Sequence, residues 1–215
     1  MSGEVAGLVR DTLGHSPKDL SLFELALTHS SVGKQSYERL EFLGDRVLGL
    51  VIARALYDRH PDEPEGNLSR RQNALVAREV CADVGRDIGL PPMIRLGRQA
   101  REDSANLSDN VIGDVVEALI GALLIDSGID AAERFVLRAW APYLDGQGRA
   151  PEHPKSALQE LAAAGGAKAP QYEVVSKTGA HHAPRFTVRV TVPALGEASA
   201  EGLSKQEAET AAAEA

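Results

Sequence analysis

The run YERLEFLGDRVLGLVIARALY, residues 37–57, constrains the fold more than any other stretch of the chain. It contains no Pro, and Leu40, Leu43, Val47, Leu48, Val51 and Ile52 cover most of a helix circumference, which predicts a central helix and not a surface amphipath. Three carboxylates interrupt it. At 100° per residue, Glu38, Glu41 and Asp45 fall within roughly 60° of one another. A second apolar segment, DNVIGDVVEALIGALLIDSG, repeats the pattern with Asp114 and Glu117 at i and i+3. Gly44, Gly113 and Gly121 would let the backbones of such helices approach closely.

Converging acids need compensation. Two carboxylates about 4 Å apart repel by roughly 4 kcal/mol at an effective dielectric of 20. Arg39 and Arg46 are near in sequence, but from an ideal helix they project roughly 100° away from the nearest acid. A hard divalent cation compensates better, and an all-oxygen site with bound water suits Mg²⁺, with Mn²⁺ as a substitute. For a single D-x-x-E the plainer reading, a solvated helix charge or an ion pair, would stand. Two acid clusters, each inside an apolar helix, favour metal. A di-iron bundle would use Glu-x-x-His pairs, and no His stands three residues after any of these acids.

Residues 1–144 read as consecutive helices: SLFELALTHSS, 37–59, LSRRQNALVAREVCADVGRDIGL as one unbroken helix, 109–128, and DAAERFVLRAWAPYL. The stretch 145–153, DGQGRAPEH, has the composition of a linker. From 154 to 215 the pattern changes. PKSALQELAAAGG is a short helix, QYEVVSK a strand, TGAHHAP a turn, RFTVRVTV an alternating strand with Phe186, Val188, Val190 and Val192 on one face, and GEASAEG a weaker third strand. SKQEAETAAAEA closes as a helix, with Ser204 and Glu207 in the form of a capping box. The expected fold class is therefore an all-α domain followed by a small α+β domain of order α-β-β-β-α.

At 215 residues the chain can bury a proper core, and 43% apolar with 25% charged residues is ordinary for a globular protein. One cysteine, Cys81, excludes an intrachain disulfide and a thiolate zinc site, which points to a reducing cytoplasm. MSGEVAGLVRDTLG has no apolar signal core, and no charge-free run reaches membrane-spanning length, so no membrane partner is expected. A formal net charge of −8 argues against nonspecific coating of nucleic acid but leaves room for a local basic patch.

These segments resemble the ribonuclease III family. ERLEFLGDRVLGL is similar to the family signature and GDVVEALIGALLIDSG to its second acidic motif, with ALTHSS and EGNLSRRQNALV in the family's order. PKSALQE, TGAHHAPRFTV and SKQEAETAAA resemble its double-stranded RNA-binding domain. The resemblance implies a homodimer, joined through the catalytic domain, that cuts double-stranded RNA with Mg²⁺ and leaves 5′-phosphate and 3′-hydroxyl ends, without a small-molecule cofactor. It implies processing of ribosomal RNA precursors and some messenger RNAs. By motif, Glu41, Asp45, Asp114 and Glu117 would hold the metal, Asp45 and Glu117 being catalytic as well. Glu38 and Glu65 match further acids near the scissile site. Glu38 could equally serve the dimer interface or an ion pair, and Glu65 could be a solvated loop acid.

A-form RNA is recognised by shape, phosphates and 2′-hydroxyls. Lys205 and Gln206, in the first turn of the last helix, would meet phosphate. Ser156, Gln159 and Glu160 would face a minor groove, and His182 matches the family's histidine between strands. The family commonly has consecutive lysines where this chain has Lys205 and Gln206, and Tyr37 stands where Asn is frequent. Residues 151–215 hold 6 Lys or Arg against 8 Asp or Glu, which predicts modest, salt-dependent affinity. Two rival readings are a catalytically silent scaffold and a hydrolase of small phosphoesters. The presence of all four metal acids argues against the first; deleting residues 151–215 discriminates the second, since a small-molecule enzyme should be indifferent to it.

Overall fold

A computed structural model describes residues 2–146, 148, 154–180, 183–193 and 195–215. It divides into two units, Met1–Ala150 and Pro151–Ala215, each with its own apolar core.

The first unit is built around one helix. Asp109–Ser127 (α7) is buried almost all round, with Ile112, Val115, Val116, Ala118, Leu119, Ile120 and Leu123 inaccessible to solvent. In order before it come Ser2–Gly7 (α1), Leu20–Ala26 (α2), Glu38–Arg59 (α3), Glu65–Leu75 (α4), Arg78–Asp87 (α5) and Arg98–Glu102 (α6). After it come Ile129–Ala139 (α8) and Ala141–Gly146 (α9). α7 packs against α2, α3, α5 and α8. Among the described residues of this unit the only β pairing is an isolated bridge between Thr28 and Arg95, and no helix is long and apolar enough to cross a membrane.

Three sequence expectations need correction. LSRRQNALVAREVCADVGRDIGL is two helices, because Ala77 is extended (φ −60°, ψ 146°) and starts α5 anew. The Leu75 carbonyl at the break is taken by Trp140 Nε1 at 2.8 Å, a partner 65 residues away that local sequence cannot announce. DAAERFVLRAWAPYL divides likewise at Trp140. Finally, α3 is half-buried, not central: Leu40, Gly44, Val47, Leu48, Val51, Ile52 and Leu56 face the core, while Phe42, Leu50 and Tyr57 are exposed.

The second unit has the expected α-β-β-β-α order: Pro154–Ala164 (α10), Gln171–Ala180 (β1), Ala183–Val192 (β2), Gly196–Gly202 (β3) and Lys205–Glu214 (α11). The strands form one antiparallel sheet in the order β1-β2-β3, with Val188 opposite both Val174 and Ala200. Val188 and Val190 point inward with Ala208 and Ala212 of α11, and Phe186 packs at the margin of this core. Small alanines let α11 lie close to the sheet, and a Cβ on Gly202 would stand 2.5 Å from the Ala208 nitrogen. The strands extend into the segment expected to be a turn, as far as Ala180 and Ala183; His182 lies outside the described residues. The cap of α11 also differs in detail. Ser204 Oγ accepts from the Glu207 N–H at 3.1 Å, but Glu207 Oε2 accepts from Leu203 N–H at 2.8 Å and not from Ser204.

Candidate active site

The site is made by glycines before it is made by acids. At the crossing of α3 and α7, a Cβ on Gly44 would sit 1.7 Å from the Glu117 carbonyl oxygen, and one on Gly121 2.2 Å from that of Leu40. Only glycine at both positions allows the backbones to meet this closely. Gly113 is less demanding, since a Cβ there would find Cys81 Cβ and the Arg78 carbonyl at an ordinary 3.5 Å. The contact sets Glu41 and Asp45, neighbours of Leu40 and Gly44, beside Glu117. On the first half of α7, Asp114 and Glu117 are half-buried between fully buried apolar residues.

The electrostatics record that proximity. Burial, then the charges of Asp45, Asp114 and Glu41, push the Glu117 carboxyl up to about 8. Burial, then Asp114, Glu38 and Asp45, raises Glu41. Burial also raises Asp114, against the lowering influence of a hydrogen bond from Tyr37 and of the nearby Arg78 and His29. Beneath the acids, burial followed by the charges of Glu117, Asp45 and Asp114 pushes the Cys81 thiol up to about 12, a small packing residue and not a nucleophile.

Partners differ among the four. Arg46 folds back to pair with Asp45, so the expectation that it points away from the acids is corrected: its long side chain bends where an ideal radial projection does not. Its guanidinium also stacks on Phe42, 4.4 Å from the ring centroid. Tyr37 donates to Asp114 Oδ2 at 3.1 Å. Glu41 and Glu117 have no hydrogen-bond or ion-pair partner among the described residues. Among those residues no group of three or more His, Cys, Asp or Glu side chains forms a ready-made metal site. The acids lie within electrostatic reach of one another, and two of them, Asp45 and Asp114, are turned to protein partners. Their chemistry fits a hard divalent ion: all-oxygen donors, partly buried, and two, Glu41 and Glu117, eased among the described residues only by the more distant charge of Arg46.

Glu38 is exposed at the start of α3, accepts from Ser36 Oγ at 3.0 Å, and lies within electrostatic reach of Glu41. Glu65 stands apart. It opens α4 and accepts from Ser69 Oγ at 2.6 Å. Gln72 of α4 donates to the Gly49 carbonyl of α3 at 3.1 Å. Glu65 lies seven residues back toward the turn, about 10 Å along the helix at 1.5 Å per residue. Sequence reasoning missed Tyr37 and Arg78 as neighbours of the acids. Only the apolar character of Tyr37 at a helix start hinted at burial.

In the second unit Ser156, Gln159 and Glu160 lie on α10, the last two exposed, and Lys205 and Gln206 are exposed on the first turn of α11. Lys205 Nζ is 3.7 Å from Glu209 Oε1, whose other oxygen is 2.6 Å from Lys155 Nζ.

A helical domain presenting two acid-bearing helices, followed by an αβββα domain, defines a nuclease directed at double-stranded RNA. The family described as Ribonuclease-III-like matches residues 19–144, and the double-stranded RNA binding motif matches residues 154–215. A protein called Ribonuclease 3 from Zymomonas mobilis is 59% identical over 207 residues, covering 96% of this chain and 84% of that one. The nuclease domain of ribonuclease III from Campylobacter jejuni superposes with a TM-score of 0.62 at 30% identity, over 66% of this chain and 97% of that one. A further structure of that nuclease domain, described for structural flexibility in a region involved in dimer formation, gives a TM-score of 0.60 at 32% identity, over 61% of this chain and 93% of that one. The chain belongs to the ribonuclease III family and is an endonuclease of that family with a double-stranded RNA-binding domain.

Proposed function

We propose that this endonuclease hydrolyses phosphodiester bonds of double-stranded RNA with Mg²⁺, Mn²⁺ substituting, and leaves 5′-phosphate and 3′-hydroxyl ends. Its tasks would be processing of ribosomal RNA precursors and some messenger RNAs in the cytoplasm. The observation that carries the reading is the pair of half-buried, unpartnered carboxylates Glu41 and Glu117, brought together from two helices with Glu117 pushed up to about 8. Carboxylates so placed are costly unless a cation joins them.

Glu41, Asp45, Asp114 and Glu117 are the proposed ligands. A bound divalent ion would lower the pKa of water and offset charge on the phosphoryl group. Asp45 must turn from Arg46 to join the set, which frees that guanidinium for a phosphate oxygen. Glu38, exposed at the start of α3, is proposed as a further catalytic acid near the scissile site. Glu65, at the start of α4, is proposed as a further catalytic acid acting near the scissile site.

The assigned division is a catalytic domain at 1–144, a linker at 145–153 and an RNA-binding domain at 154–215, with Ser156, Gln159, Glu160, His182, Lys205 and Gln206 as RNA contacts. A homodimer through the catalytic domain is supported by the apolar stripe on α3. Phe42 is 63% exposed and Ile125 54%. Both line an open groove with Leu22, Leu25, Leu40 and Leu43, a surface suited to a second copy.

The test is cleavage of a perfect RNA duplex with Mg²⁺ by the wild type beside Asp45→Asn and Glu117→Gln. The wild type should cut and each variant should lose cleavage by orders of magnitude while still binding the duplex. Binding without cutting by the wild type would sink the proposal.

A further inference from the structure

Tyr37 touches both acid-bearing helices. Its carbonyl accepts from the N–H groups of Leu40 at 2.8 Å and Glu41 at 2.9 Å, so it opens the first turn of α3. Its own N–H is fixed by the Thr28 carbonyl at 2.8 Å. The ring is 4% exposed and meets His29 edge-on, with centroids 5.7 Å apart. From there the phenol reaches across 77 residues of sequence to donate to Asp114 Oδ2 at 3.1 Å. Among the described residues it is the one hydrogen-bond donor to Asp114, and it leaves Oδ1 without a partner. One oxygen is held and the other is left open to a further partner.

We propose that Tyr37 is a positioning residue that fixes the rotamer of Asp114, so that its free oxygen joins the carboxylates of α3 in holding a divalent ion. The inference rests on the reading of Asp114 as a metal ligand. A ligating carboxylate whose non-ligating oxygen is hydrogen-bonded needs less reordering when the ion arrives, and loss of such a partner commonly costs about 10–100-fold in metal affinity or activity. Phenylalanine at this position keeps the buried ring and removes only the donor.

The test is Mn²⁺ titration of the full chain without RNA, together with duplex cleavage as a function of Mg²⁺ concentration, for wild type, Tyr37→Phe, Asp114→Asn and the double variant. Tyr37→Phe should bind Mn²⁺ about tenfold more weakly or worse. Its cleavage at saturating Mg²⁺ should return to within about twofold of wild type, because occupancy and not chemistry is impaired. In the double variant the Tyr37 change should add nothing to the loss caused by Asp114→Asn. Wild-type Mn²⁺ affinity in Tyr37→Phe, or a defect that saturating Mg²⁺ does not restore, overturns the positioning role while leaving the metal reading intact. A wild type that binds no Mn²⁺ overturns both.

Discussion

Gly44 of α3 lies directly against the main chain of Glu117 on α7, with no room between them for a methyl group: a Cβ there would fall 1.7 Å from the Glu117 carbonyl oxygen. In an unconstrained helix, Gly→Ala gains about 1 kcal/mol of helix propensity. Here that gain is overwhelmed, because overpacking a rigid contact costs about 1–3 kcal/mol and more when backbone must move. Gly44→Ala is expected to destabilise the helical domain by about 2 kcal/mol or more, read by urea unfolding, and to reduce Mn²⁺ binding as the helices separate. Gly113→Ala, which finds only ordinary contacts at 3.5 Å, should be neutral to stabilising by up to about 1 kcal/mol and serves as the control.

That contrast marks how far the sequence could be read. The two apolar helices, their acids and the glycines were visible because helical period and residue type are local properties. So was β2, whose alternation puts Val188, Val190 and Val192 inside. What escaped was tertiary. Nothing in VARE announces that Ala77 breaks the helix, since the partner that takes the Leu75 carbonyl at the break, the buried Trp140 indole, lies 65 residues away. The Tyr37–Asp114 bond spans 77 residues and belongs to no motif of spacing. The exposure of Phe42, Leu50 and Tyr57 escaped too, because a helix apolar over most of its circumference reads as central, and composition does not distinguish a core from a surface awaiting a partner.

Metal binding should depend on pH through Glu117. Its carboxyl, pushed up to about 8 by burial and then by Asp45, Asp114 and Glu41, holds a proton in the metal-free fold that an unfolded chain would release near 4.5. The folded pKa is raised, so this proton's contribution to stability is full below 4.5 and is lost as pH rises toward about 8. If Glu117 is a ligand, the ion must displace that proton. Apparent Mn²⁺ affinity should therefore rise between pH 6.5 and about 8 and then level, with proton release detectable by calorimetry in buffers of different ionisation enthalpy. Pairing Mn²⁺ with a Glu117→Gln variant should flatten the profile. A wild-type affinity independent of pH across that range would remove Glu117 from the ligand set.

Asp126, at the far end of α7, works in the opposite direction. Its buried carboxylate lies 2.7 Å from His15 Nε2 and accepts from the N–H groups of Lys18 at 3.0 Å and Asp19 at 2.8 Å, tying the segment before α2 to the core. Burial alone would raise it, but the hydrogen bonds from His15, Asp19, Lys18 and Ser127 outweigh burial and hold it at about 2. A depressed folded pKa gives stability that is present above 3.8 and lost as pH falls toward about 2. Asp126→Asn leaves backbone donors facing an amide, at a cost of about 1–3 kcal/mol near neutral pH. In urea titrations the gap between variant and wild type should close below pH 3.8. A gap that stays constant down to pH 3 would mean the loss is one of shape, not charge.

In the RNA-binding unit, Glu209 holds two lysines at once: Lys155 of α10 at 2.6 Å and Lys205 of α11 at 3.7 Å. Lys205 is the proposed phosphate contact, so a phosphate must compete with this carboxylate for it. A charge about 4 Å away in high dielectric is worth about 1 kcal/mol, or roughly fivefold in affinity. The stability at stake is of the same order, since Lys205 is exposed and such a pair contributes at most about 1 kcal/mol, while Lys155 and Glu209 are partly buried. Glu209→Gln is accordingly expected to bind duplex RNA a fewfold more tightly at low salt, measured without metal so that nothing is cut. The log–log slope of affinity against salt should steepen by about 1, because one more lysine displaces counterions from phosphate. Lys205→Ala in the same background should abolish the gain. Tighter binding that survives the loss of Lys205 would trace the effect to net charge alone, and weaker binding would show that Glu209 matters for bracing α10 against α11.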